Sequence, residues 1–394
     1  MSAANILVFG GTFDPPHVGH AALLAAAARA SRADAIIIVP ALRAPLKDPP
    51  YAPWRERLQL IRLSILAALP AGIRSKARVD LSEIRSGRMV YTVDTLGKIR
   101  RRNPRARLHF AVGSDAARSF ESWKNPGELR SLCEWWTASR PPRRSSESAP
   151  LPPFFKKIGE PMPSISSTRL REMLLMGEDV SRWTGRRAFL HIRARKLYGS
   201  GWIGFLQARL ASRRFEHSIA VARWAAELAG LWGLPRGKAL GAGLLHDLGR
   251  SMPWKDLARD AVRRRLEIPL LAETARRAPG LLHSYMSAAI AQRELGVLDP
   301  EVLDAVRRHT LGADSWEEMA PLSRLLYVAD ASSPDRRFRG AARLRALARK
   351  DLREAFKACA AAKIAHALSR GSWIHPQGIS LWNSLIKNEE NSPQ

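Results

Sequence analysis

The hydrophobic positions of this chain change their period once. In the first half, short apolar runs of β type alternate with longer stretches of helical period. Asn5-Ile6-Leu7-Val8-Phe9 is a compact apolar run that stops at Gly10-Gly11, and His17 to Ala30 follows as an Ala/Leu-rich helix. Ala35 to Val39 is a second buried strand closed by Pro40, Arg55 to Leu69 has helical periodicity, and Arg107 to Val112 is a third strand ending at Gly113. Strand–helix–strand order of this kind predicts a parallel sheet covered on both faces. The Pro-, Ser- and Arg-rich stretch Arg140 to Pro153 reads as a loop, and Phe189 to Tyr198 as a closing helix.

After Gly199-Ser200-Gly201, the best linker candidate, the strand signal vanishes. Phe215 to Trp232, Lys238 to Leu248, Ser284 to Leu295, Pro300 to His309, Leu322 to Ala331 and Leu352 to Leu368 all carry helical period, and Gly/Pro turns separate them. The expected organisation is an α/β domain over 1–198, a linker over 199–204, an all-α domain over 205–386 and a tail over 387–394.

Composition narrows the partners. The chain has 394 residues, 46% of them hydrophobic and 25% charged, which excludes wholesale disorder. A formal net charge of +28 suits a protein that handles polyanions, whether nucleic acid, anionic membrane or phosphate-rich small molecules; an Arg-rich solvated surface is the bland alternative. The two cysteines, Cys133 and Cys359, are too far apart and too few for a disulfide framework or a CxxC metal site. No apolar stretch approaches the ~20 residues that span a bilayer, so a soluble cytoplasmic protein is expected, with no membrane partner.

The run Gly10-Gly11-Thr12-Phe13-Asp14-Pro15-Pro16-His17-Val18-Gly19-His20 leaves a strand and enters a helix. Glycines let the backbone approach a ligand, and a helix N-terminus offers unpaired N–H groups to an anion. His17 and His20, three residues apart, share one face of the first turn and suit a triphosphate. Neither GxGxxG nor GxxxxGK[ST] occurs here. The stretch resembles the GGTFDPxHxGH signature of nucleotidyltransferases, most closely bacterial nicotinate-nucleotide adenylyltransferases. Ile165-Ser166-Ser167-Thr168-Arg169-Leu170-Arg171 resembles that family's ISSTxIR, Tyr91 to Leu96 its YTxDTL, and Gly113-Ser114-Asp115 with Trp123 its GxD and nicotinate-stacking Trp.

The resemblance implies a Rossmann-like fold and direct adenylyl transfer from ATP, with Mg²⁺, to nicotinate mononucleotide. It assigns Gly10, Gly11, Thr12, Phe13, His17, His20, Gly113, Ser166, Ser167, Thr168 and Arg171 to ATP, with His17, His20, Lys47 and Arg171 as catalytic contacts to the triphosphate. Asp14, Thr92, Asp115 and Trp123 would hold the nicotinate nucleotide. One departure is Ala44-Pro45-Leu46-Lys47, where the family has a PPHK-like segment; only the lysine remains.

The helical half carries His217, His246-Asp247, His283, His309 and Asp330. Imidazole and carboxylate suit Fe, Mn or Zn, and one Asp bridging two ions suits attack on phosphorus. The order H…HD…H…H…D resembles the HD phosphohydrolases. Arg214-Phe215-Glu216-His217-Ser218, Leu244-Leu245-His246-Asp247 and Tyr327-Val328-Ala329-Asp330 resemble its YqeK-type members. That family cleaves diadenosine tetraphosphate symmetrically to two ADP, with iron favoured. The resemblance implies a dinuclear Fe or Mn centre: His217, His246, Asp247 and Asp330 at one ion, and Asp247 bridging to a second ion held by His283 and His309. Arg250 and Arg336 are candidates for the polyphosphate. Arg250 replaces the family's usual Lys, and Ser333 stands where ADxIEPxR has Glu. The alternatives are an HD domain acting on another nucleotide, such as a nucleoside monophosphate or guanosine tetraphosphate, and a basic nucleic-acid platform. No aromatic–basic interleaving supports the latter.

Overall fold

The computed structural model describes residues 3–45, 48–138 and 150–390. They form two compact units divided between Ser200 and Gly201, with Leu175–Gly177 grouped with the second. Lys47 and most of the Arg140 to Pro153 stretch lie outside the described residues.

In the first unit, the strands β1 (Asn5–Gly11), β2 (Ala35–Pro40), β3 (Ala77–Val79), β4 (Arg107–Gly113), β5 (Glu134–Ala138) and β6 (Lys156–Ile158) form one parallel sheet in the order β3-β2-β1-β4-β5-β6. The apolar runs are continuous because both faces are covered. Leu7, Phe9, Ile36 and Ile38 pack with the alanines of helix α1 (Val18–Ala30). Ile6, Val8, Ile37 and Val39 point the other way, to Val93, Leu96 and Ile99. Helix α2 (Trp54–Ile61) follows β2, α3 (Thr92–Arg102) precedes β4, and α4 (Ser167–Leu175) and α5 (Arg186–Ala194) come late in the unit.

The sequence pattern reveals three of these strands. Of the others, β3 and β6 are only three residues long, and β5 reads Glu-Trp-Trp-Thr-Ala, too mixed in polarity to stand out. A π-helical turn, Arg62–Leu66, extends α2.

In the second unit, the principal helices are α6 (Trp202–Arg209), α7 (Ser212–Leu231), α8 (Arg236–Leu245), α9 (Trp254–Arg263), α10 (His283–Leu295), α11 (Pro300–Arg308), α12 (Pro321–Ser332), α13 (Ala341–Lys350), α14 (Leu352–Ser369) and α15 (Pro376–Glu390). They surround a core that includes Trp224, Leu244, Leu245, Leu325, Tyr327 and Phe356. Helices α7 and α8 touch backbone to backbone: a Cβ on Gly243 would lie 2.5 Å from the Ala222 Cα.

The division between the units falls within the expected linker, and both the linker and the expected tail take helical form in part. The expected linker 199–204 is largely helical, because a 3₁₀ turn covers Leu197–Gly199 and α6 begins at Trp202. The expected tail at 387 continues α15 as far as Glu390. Trp202 and Ile203 of the expected linker lie against the helical core.

Two candidate active sites

In the first unit β1 lies between β2 and β4, so the chain leaves β1 and β4 toward opposite sides of the sheet. The carboxyl ends of such a strand pair open a crevice, which is where sheets of this order bind ligands. The glycine–histidine run follows β1, and Gly113-Ser114-Asp115 ends β4 and starts the next turn. Added methyl groups would meet the Phe110 ring at 3.0 Å from Gly10 and the Phe13 ring at 3.0 Å from Gly11. Phe13 itself holds a left-handed φ of 53°.

Several polar groups hold this loop. The Asp14 carboxylate is buried and accepts the Tyr51 amide at 2.7 Å and the Ala52 amide at 3.1 Å. It thus ties the loop to the segment after β2, whatever else it contacts. Arg57, 1% exposed, donates to the carbonyls of Thr12 (2.6 Å), Ala41 (2.8 Å), Ala52 (3.2 Å) and Leu42 (3.3 Å). It joins the ends of β1 and β2 through carbonyls alone among the described residues, and desolvation by burial lowers its pKa.

His17 caps α1, and its amide donates to His20 Nδ1 at 3.2 Å, with ring centroids 3.7 Å apart. The lone pair of His20 therefore lies on Nδ1, and the proton of the neutral ring lies on Nε2. The start of α4 reaches the same loop. Ser167 Oγ donates to the Pro15 carbonyl at 2.8 Å, and Arg171 donates to the Asp14 carbonyl at 2.7 Å and stacks on Tyr51 at 4.4 Å. Thr168 Oγ1 accepts from Arg171 at 3.3 Å, and Ser166 Oγ from the Arg169 amide at 3.2 Å. Two helix N-termini and a cation thus converge on one glycine loop.

The three other predicted nicotinate residues sit on separate elements. Thr92 begins α3, Asp115 is an exposed carboxylate just past β4, and Trp123 is half-buried beside Phe120 and Trp135.

In the second unit all six predicted ligand residues meet. His217 comes from α7, His246 and Asp247 from the end of α8, His283 from the start of α10, His309 from the end of α11 and Asp330 from α12. His217 Nε2 lies 3.1 Å from Asp330 Oδ1, His283 Nε2 3.3 Å from Asp247 Oδ1, and His283 Nε2 3.1 Å from His309 Nε2. His246 groups with His217 and Asp330 on one side and with Asp247 and His309 on the other. It faces both triads from the centre.

The hydrogen bonding of these rings fits a divalent cation. His246, His283 and His309 each direct Nδ1 at the carbonyl three residues back, at 2.8, 2.7 and 2.7 Å. A carbonyl only accepts, so each Nδ1 carries the proton and each Nε2 presents a lone pair. His246 Nε2 is buried without a hydrogen-bond partner. Orphaning a buried polar atom costs about 1–3 kcal/mol, and a cation removes that cost. Burial pushes His246 down and His309 well below the ordinary imidazole range, which keeps both rings neutral, as ligands must be.

Burial opposes ionisation of Asp247 and Asp330, yet both stay well below the usual carboxylate range. The charge of neighbouring Arg250 holds Asp247 down; the His217 hydrogen bond and the Arg336 charge hold Asp330 down. Arg250 pairs with Asp247 at 2.8 Å, and Arg336 pairs with Asp330.

Sequence reasoning missed four groups here. Arg214 binds Asp247 Oδ2 at 2.9 Å; its spacing of three from His217 on one helix was the available signal. Asp335 accepts His217 Nδ1 at 2.7 Å and is itself held by Ser333 Oγ at 2.6 Å, so the serine in the family's Glu position orients the partner of His217. Thr310 and Lys363 lie against His309; His309-Thr310 with Gly312 matches the family's order, though without a role for the threonine, and no local pattern marks Lys363.

Comparison with known proteins identifies the families of the two halves. Residues 8–173 match the cytidylyltransferase-like family and 214–335 the HD domain. A probable nicotinate-nucleotide adenylyltransferase/Ap4A hydrolase of Mycoplasma genitalium is 25% identical over 84% of this chain and 88% of its own length. A symmetrical bis(5'-nucleosyl)-tetraphosphatase of Bacillus subtilis is 30% identical, covering 46% of this chain and 94% of that protein. A probable nicotinate-nucleotide adenylyltransferase of Thermus thermophilus is 36% identical, covering 49% and 99%. The chain therefore belongs to the nicotinate-nucleotide adenylyltransferases in its first half and to the symmetrical HD-domain bis(5'-nucleosyl)-tetraphosphatases in its second.

Proposed function

We propose that the protein is a bifunctional nucleotide enzyme. Its first unit transfers the adenylyl group of ATP to nicotinate mononucleotide, giving nicotinate adenine dinucleotide and pyrophosphate. Its second unit hydrolyses diadenosine tetraphosphate to two ADP. The observation that carries the second assignment is the meeting of six imidazole and carboxylate side chains from five helices around His246.

In the transfer reaction the nucleotide phosphate attacks the α-phosphorus and pyrophosphate leaves, so no protein nucleophile is needed. Alignment and charge neutralisation suffice. His17, His20, Arg171, Ser166, Ser167, Thr168 and the Gly10–Phe13 backbone take the triphosphate, with Lys47 and Gly113 as further contacts and Mg²⁺ accompanying ATP. Thr92, Asp115 and Trp123 hold the acceptor, and Asp14 acts by fixing the loop.

In the hydrolysis, His217, His246, Asp247 and Asp330 would hold one ion and His283, His309 and Asp247 the second, with iron or manganese suited to the nitrogen–oxygen donor set. Bound as a pair, such ions activate water and neutralise the leaving phosphate. Arg250, Arg336 and Arg214 supply cationic contacts for the polyphosphate chain. Among the described residues no helix is long and apolar enough to cross a membrane; a cytoplasmic location is part of the same proposal, because its substrates are cytoplasmic nucleotides.

The deciding experiment is product analysis of the full chain with ATP plus nicotinate mononucleotide, and with a panel of nucleotides in the presence of Fe²⁺ or Mn²⁺. ADP as sole product from diadenosine tetraphosphate supports the reading. Turnover only of a nucleoside monophosphate or guanosine tetraphosphate replaces the substrate of the second unit.

A further inference from the structure

Thr310 follows His309 at the end of α11, outside the ligand order that the sequence displays. Its hydroxyl oxygen lies 3.0 Å from His309 Nε2 and 3.2 Å from His283 Nε2, and those two nitrogens are 3.1 Å apart. Both nitrogens present lone pairs, since their Nδ1 atoms donate to the carbonyls of Gly280 and Val306. One hydroxyl proton can satisfy only one of them at a time. Three electron-rich atoms thus form a nearly equilateral triangle around a deficit of donors.

The edge lengths carry further information. Bonds of about 2.1 Å from an octahedral ion place neighbouring ligand atoms about 3.0 Å apart. The same bonds in a tetrahedral site would separate them by about 3.4 Å. Edges of 3.0, 3.1 and 3.2 Å match one face of an octahedron.

The turn that presents Thr310 is held from below. Lys363 Nζ, on α14, donates to the His309 carbonyl at 2.8 Å and the Thr310 carbonyl at 3.4 Å, and rests 3.3 Å from the centre of the Tyr327 ring. Gly312, with φ +76°, ends the turn where a Cβ would lie 2.4 Å from Leu381 Cδ2. The hydroxyl is therefore placed by the tertiary structure.

We propose that Thr310 Oγ1 is a further ligand atom of the second ion site, completing a face with His283 and His309. This rests on the divalent-ion reading of the helical unit.

The test uses the full chain, stripped of metal with a chelator and titrated with Mn²⁺ in the absence of nucleotide, free Mn²⁺ being read by electron paramagnetic resonance. Thr310→Val keeps the shape and removes the oxygen; Thr310→Ser keeps the oxygen and removes the methyl group. The expected result is two ions per wild-type chain, a loss of about tenfold or more in affinity for one of them in Thr310→Val, and affinity within about threefold of wild type in Thr310→Ser. Wild-type binding of both ions by Thr310→Val overturns the proposal. So does the opposite pattern, with Ser impaired and Val intact, which marks a packing role. Absence of Mn²⁺ uptake by the wild-type chain overturns the ion reading itself, and is told apart by that control.

Discussion

Gly249 and His283 meet through their backbones: a Cβ built on Gly249 would lie 2.3 Å from the His283 carbonyl oxygen and 3.0 Å from its Cα. The Gly249 amide also donates to Ser287 Oγ at 2.8 Å. The turn after His246-Asp247 is thereby set against the start of α10, which fixes the Asp247–His283 distance. Gly249→Ala should force these backbones apart. Overpacking of this kind costs about 1–3 kcal/mol. Calorimetry should show a lower melting transition, and Mn²⁺ uptake should weaken while adenylyl transfer is retained. An unchanged melting profile with full uptake would contradict this packing.

His20 is expected to matter for transfer and not for folding. Its Nδ1 accepts the His17 amide, so Nε2 is the donor that the site retains. Removing one donor to a transferring phosphate slows catalysis by about 10²–10³-fold. His20→Ala should lower kcat by at least the smaller figure, with circular dichroism unchanged. Wild-type turnover would remove His20 from the mechanism.

Arg57 is a positioning residue of the same site. Arg57→Met would leave the carbonyls of Thr12, Ala41, Leu42 and Ala52 without this donor. Each buried acceptor left unpaired costs about 1–3 kcal/mol. The expected outcome is a destabilised first unit with weaker ATP binding, measured by thermal melting and KM, and hydrolysis of diadenosine tetraphosphate unaffected. Arg57→Lys should recover only part of the loss, because an ammonium cannot reproduce the planar fork. Full recovery by lysine would show that charge alone is required.

Asp247→Ala removes the carboxylate that faces His283 at 3.3 Å, Arg250 at 2.8 Å and Arg214 at 2.9 Å. Hydrolysis should fall to background and the number of bound Mn²⁺ ions should drop, while transfer of the adenylyl group continues. Retained hydrolysis would place the reaction elsewhere.

What the sequence by itself determined is local or periodic. The central strands are legible because burial on both faces makes β1, β2 and β4 uniformly apolar. The glycine–histidine loop is legible because its glycines and histidines stand within one strand–helix junction, and short-range geometry brings His17 and His20 together. The six ligand-type residues are legible through residue type and order alone.

The tertiary structure decided whatever depends on long-range approach. The sheet order, which opens a crevice between β1 and β4, cannot be read from strand signals, and the edge strands β3 and β6 are too short to show a period. Arg57 looks like an ordinary helix surface residue, yet the fold buries it among four carbonyls. Asp14 lies in the glycine–histidine loop but turns to amides 37 and 38 residues away. The sequence places Thr310 beside His309 but gives it no role, because its position depends on three partners: a neighbouring histidine, a second histidine 27 residues earlier and a lysine 53 residues later. Such contacts form only when the helices pack, since each side chain's partners are set by which backbones can approach and not by the residues beside it in the chain.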